Sequence, residues 1–126
     1  MARGSAAAPG LLLALCCAAA AIAVVHGEDW AVGNNKGWSF GVAGWENGKR
    51  IQPGDELVFK YDAKIHNVVE VDRAGYGGCT VTGPSKVYNS GDDRIKLAGG
   101  EAFFICSIRD HCTAGMKVKV AVTANA

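Results

Sequence analysis

Cys106, His111 and Met116 follow one another at intervals of five, C-x4-H-x4-M, between an apolar run and a valine-rich run. They therefore share one inter-strand loop, and a loop clamped at both ends can turn three side chains toward one point. A straight strand or helix could not do so at this spacing. His66 is the fourth candidate, at the head of Asn67-Val68-Val69 and forty residues upstream of Cys106. Two imidazoles and a thiolate with a thioether on the axis form the donor set of an electron-transfer copper site. Thiolate and thioether suit Cu(I), imidazole suits both oxidation states, and no carboxylate enters to favour a hard metal. Zinc would accept Cys106, His66 and His111 but has little use for Met116. With all four donor positions filled there is no open position for a substrate, so electron relay is expected rather than enzymatic catalysis.

Each residue alone has a plainer reading. Met116 could be core filler, His66 a hydrogen-bonded strand-end histidine, and Cys106 an inert buried thiol. Their conjunction decides otherwise. Once the first 27 residues are set aside, the chain holds two histidines, one methionine and three cysteines, Cys79, Cys106 and Cys112. An odd cysteine count in an oxidising compartment implies one disulfide and one thiol with another role. With Cys106 assigned to metal, Cys79 and Cys112 are left to pair, whereas a Cys106–Cys112 bridge would destroy the site.

Setting those residues aside has its own reason. Leu11 to Val25 is an unbroken run of Leu, Ala, Cys, Ile and Val behind Arg3, and Val25-His26-Gly27 supplies small residues at cleavage offsets. That is the pattern of a secretory leader. The run is short for a membrane span and Glu28-Asp29 follow at once, so no permanent anchor is expected. Residues 28–126 suffice for one domain. Without Arg3 the remaining 12 basic residues balance the 12 acidic ones. No Lys/Arg block appears, which removes the electrostatic footprint of nucleic-acid and anionic-membrane binders.

The elements that must position these donors read as strands. Gly33-Asn34-Asn35, Glu46-Asn47-Gly48, Pro53-Gly54-Asp55, Gly77-Gly78, Gly83-Pro84, Ser90-Gly91-Asp92 and Gly99-Gly100 are turn signals. Between them lie β-rich runs at Trp30–Val32, Leu57–Tyr61, Asn67–Val71, Arg94–Leu97, Ala102–Cys106 and Lys117–Thr123. Val118, Val120 and Val122 alternate with Lys117, Lys119 and Ala121, so one face is core and the other water. Leu57, Phe59 and Tyr61 alternate likewise. Phe103-Phe104-Ile105 is continuously apolar, as in a strand covered on both faces. An all-β sandwich is predicted, with a single helical turn around Arg73 to Cys79.

Taken together, Asp29-Trp30-Ala31-Val32-Gly33, Gly37-Trp38, the run from Pro53 to Tyr61, His66 to Val71, Phe104-Ile105-Cys106, Asp110-His111-Cys112 and Gly115-Met116-Lys117-Val118 make the chain resemble the phytocyanins. These are the plant branch of the cupredoxins, and the likeness spans nearly all of residues 28–126. The resemblance implies a Greek-key sandwich of two sheets, one copper ion cycling between Cu(II) and Cu(I), ligands at His66, Cys106, His111 and Met116, and a Cys79–Cys112 disulfide. It implies solvent-open histidine edges at one end, through which electrons would enter. Met at position 116, rather than Gln, and the stop at Ala126 without a Pro/Ser-rich stretch favour the plantacyanin branch, although the zero formal charge lacks that branch's basic character. A monomer secreted to the extracellular space or cell wall, with an unidentified small-molecule or protein redox partner, is expected. The rival reading is an extracellular signalling or interaction protein of plant reproduction or cell wall, in which copper redox activity is secondary.

Overall fold

The computed structural model describes residues 27–122, so all but the last residue of the expected leader lies outside the described residues. Seven strands form two sheets. β1 (Asp29–Ala31), β2 (Glu56–Lys60) and β5 (Asp92–Lys96) make one, in the order β1-β2-β5. β3 (Val68–Val71), β4 (Lys86–Tyr88), β6 (Gly100–Ile105) and β7 (Lys117–Val122) make the other, in the order β4-β3-β6-β7. Every pairing is antiparallel except β1 with β2, which is parallel in the register Trp30↔Leu57. The predicted helical turn is a short helix, α1 (Arg73–Gly78), whose N-cap Asp72 accepts a hydrogen bond from the Gly75 amide at 2.7 Å.

The two-faced burial of β6 follows from its central place between β3 and β7. Phe104 points into the main core with Trp38, Leu57, Phe59, Val68, Val118 and Val120, where Phe59 stacks edge-on against Trp38 at 5.0 Å between centroids. Phe103 and Ile105 point the other way, into a second cluster with Val69, Val71 and Cys112, covered by Tyr76 of α1. Period-2 alternation places successive residues on opposite faces, and both faces of this strand happen to be roofed.

β4 departs from the predicted strand set. Lys86-Val87-Tyr88 is an edge strand with Val87 60% exposed, so it has no inward-outward pattern to read; its strand pairing is to β3, and Tyr88 packs against the main core. At the same edge the Tyr61 hydroxyl donates to buried Asp93 of β5 and lies 3.2 Å from the Tyr88 carbonyl of β4, joining the two sheets through one side chain. Burial and the Asp93 carboxylate raise the pKa of this phenol, so it stays protonated and keeps donating.

Candidate metal centre

Three segments deliver the donors to one end of the sandwich. Cys106 is the first residue past β6, fully buried, and its amide donates to the Met116 carbonyl at 3.0 Å, which closes the base of the loop opposite β7. Within the loop His111 N–H donates to Ile108 O at 3.0 Å, Gly115 N–H to Cys112 O at 2.9 Å and Met116 N–H to His111 O at 3.1 Å. Arg109 takes a left-handed φ of 44°, reversing the chain ahead of His111. His66 ends a turn in which its amide and that of Ile65 both donate to the Asp62 carbonyl. His66 is 7% exposed, while His111 is partly open to solvent.

The predicted residues converge. The His66 and His111 Nδ1 atoms lie 3.2 Å apart, and Cys106 Sγ lies 3.5 Å from His111 Nδ1 and 3.9 Å from His66 Nδ1. All three donor atoms fall within 4.8 Å of one another. Metal–nitrogen and metal–thiolate bonds of about 2.0 and 2.3 Å, meeting in a plane, would set donors about 3.5 to 3.7 Å apart, so the triangle fits a metal ion with small adjustments. Met116 is completely buried in the same core cluster as Cys106, and its backbone is bonded to both Cys106 and His111. Burial, then the neighbouring His111, hold the His66 pKa below its usual value, which keeps the ring neutral and its lone pair free for a metal.

Three side chains around the triangle were not among the candidate site residues. The Asn67 side chain donates to Ser107 Oγ and accepts from the Ser107 amide, both at 2.9 Å, tying the residue after His66 to the residue after Cys106. Trp38 donates from Nε1 to the Asn67 carbonyl at 2.8 Å, fixing the same segment from the core side. Phe40, 49% exposed, stands edge-on to both imidazoles, with centroids 5.4 Å from His66 and 4.8 Å from His111. Amides and aromatics have no spacing rule that ties them to a site forty residues away. The Cys79–Cys112 disulfide, Cα–Cα 5.7 Å, fastens the ligand loop to the end of α1, and Cys106 is a free thiol.

A plastocyanin-like domain family model matches residues 30–116. The chain belongs to the phytocyanin family. It is 47% identical over 97 residues to chemocyanin of Lilium longiflorum, covering 77% of each chain. Among solved structures, this phytocyanin superposes on cucumber basic protein, a blue copper protein, with TM-score 0.73 and 42% identity, over 75% of this chain and 98% of that one. Spinach plantacyanin gives TM-score 0.64 and 47% identity, over 69% and 94% respectively. Those likenesses lie well above the range in which only the fold is shared.

Proposed function

We propose that this phytocyanin is a secreted type 1 copper protein that carries single electrons, with one copper ion that His66, Cys106, His111 and Met116 would hold. The observation that carries this reading is the convergence of two Nδ1 atoms on the sulfur of a buried, unpaired cysteine, with a buried methionine hydrogen-bonded into the same loop. Bound copper would supply the reversible exchange between Cu(II) and Cu(I). The chain's part is to hold the donors still: Asn67 and the disulfide brace the two ligand segments, so little rearrangement accompanies an electron. The partly exposed His111 edge beside Phe40 offers the route to a partner, whether protein or small molecule. Four protein donors leave no place for a substrate, which supports a carrier rather than an enzyme. That the similar cucumber basic protein is a blue copper protein supports the choice of metal.

In this reading residues 1–27 are a leader removed on export, and residues 28–126 act as a monomer in the extracellular space or cell wall. No helix among the described residues is long and apolar enough to cross a membrane. Adding Cu(II) to the oxidised domain tests the site directly. An intense blue thiolate-to-copper band is expected, absent in Cys106→Ser; a colourless complex of the parent protein would refute the assignment.

A further inference from the structure

Far from the metal centre, the Asp55 carboxylate is 5% exposed and accepts three N–H groups, each at 2.9 Å: the Glu28 amide at Oδ1, and the Trp30 indole and Gln52 amide at Oδ2. Among the described residues it forms no ion pair. A buried carboxylate without a cation is costly even when its lone pairs are filled. The position of Glu28 is fixed independently of that contact, since its carbonyl accepts the Glu56 amide at 2.8 Å and Asp29 is in register with Glu56. Just upstream, a Cβ on Gly27 would meet the Gly54 carbonyl oxygen at 1.9 Å, so the chain can pass that turn only as glycine. Glycine is also a residue small enough to precede a leader cleavage point.

We propose that hydrolysis of the Gly27–Glu28 peptide bond turns the Glu28 amide into an α-ammonium that forms a partly buried ion pair with Asp55, so that processing completes the anchor of the first strand. Water adds across the bond in the leader-cleaving protease, Gly27 leaves as a carboxylate, and the Glu28 nitrogen gains the protons of an ammonium. The nitrogen is already 2.9 Å from Oδ1 before cleavage, so the charge arises in place. The inference rests on the reading of residues 1–27 as a removed leader.

The sign of the pH dependence follows from both partners. Burial by itself would raise the Asp55 pKa, but the Gln52 and Glu28 amides and the Trp30 indole more than offset it, and the net shift is downward from 3.8. Its contribution is present above that ordinary value and is lost as pH falls through the depressed one. The ammonium, stabilised by the carboxylate, titrates above its ordinary value of about 7.7 to 8.0. Its contribution is complete below that range and is lost as pH rises through the raised value. The other charged groups facing the pair are the Glu28 side chain, Arg50 across the same hollow, Glu56 with Lys96 opposite it, and Asp29, which lies 3.6 Å from Arg94.

The experiment compares copper-loaded protein beginning at Glu28 with the same protein acetylated at Nα, which keeps the N–H donor and removes the charge. At pH 6 the free-amine form should melt several degrees higher, and the gap should close as pH rises past the amine's raised pKa. Asp55→Asn should erase the gap at every pH. If that variant does not fold, NMR titration of the Glu28 amine in the parent protein serves instead, with a pKa above the ordinary range expected. Equal melting of the two forms, or an amine titrating in the ordinary range, overturns the ion pair. N-terminal sequencing of the exported full chain separates this from the leader reading: a start at Glu28 supports both, and any other start overturns the cleavage position.

Discussion

Met116 fills a closed core and, in the proposed function, also donates to copper; substitution can tell the two roles apart. A thioether favours Cu(I), whereas an amide oxygen is harder and favours Cu(II). Met116→Gln is therefore expected to lower the reduction potential while the protein keeps an intense blue or green colour; voltammetry beside thermal melts checks it. A residue that only filled space would leave the potential unmoved and cost about 1 to 3 kcal/mol through a buried unpartnered amide. Asn67→Ala removes two hydrogen bonds that join the His66 and Cys106 segments, so a loss of about 1 to 3 kcal/mol in stability and faster copper release to a chelator are expected. The convergence of His66, Cys106 and His111 was legible, and Met116 was singled out beside them, because Cys, His and Met are scarce in residues 28–126 and sit at loop spacing. Asn67, Trp38 and Phe40 were not, since their roles arise from contacts that only the folded chain creates.

At the level of elements, the disulfide and two glycines hold the ligand loop. Cys79 stands in the left-handed region just past α1, and its bridge to Cys112 closes a span of 33 residues. In the chain-entropy description such a closure is worth about 4 kcal/mol. The double variant Cys79→Ala/Cys112→Ala should melt well below the parent and still bind copper, more weakly, as a chelator titration would show. Gly115 has φ +92°, and a Cβ there would meet the Gly41 Cα at 3.1 Å, next to Phe40. Gly115→Ala is expected to be strained at the backbone and to push the Phe40 segment off the imidazoles, visible as a shifted copper absorption band. Alternation located β7 and continuous apolarity located β6. β4 escaped because an exposed three-residue edge strand depends on hydrogen bonds that its neighbour supplies, which no side-chain period records.

The whole molecule does not depend on its metal for a core. Two apolar clusters, one between the sheets and one beneath α1, are assembled mostly from aromatic and aliphatic side chains, and of the main cluster only Cys106 and Met116 are candidate metal donors. Copper-free protein is thus expected to keep its β-rich far-ultraviolet dichroism and to unfold at a lower temperature than the loaded form. A thousandfold excess of free copper over its dissociation constant corresponds to about 4 kcal/mol of added stability. Paired melts with and without chelator measure the difference, and collapse of the dichroism on chelation would contradict a self-sufficient core.

The parallel pairing of β1 with β2 sets a direction for the whole domain. β2 runs from Glu56 toward Lys60, whose carbonyl accepts the Trp38 amide beside the Phe40 segment, so β1 begins at the end opposite the imidazoles. β7 starts at Lys117 next to Met116 and ends with Val122 opposite Gly100, at that same remote end. The described residues therefore begin and end on the side away from His66, Cys106 and His111. A surface that captures the protein by either terminus, be it a polysaccharide matrix or a tagged electrode, receives it with the histidine edges turned outward and free to meet a diffusing partner.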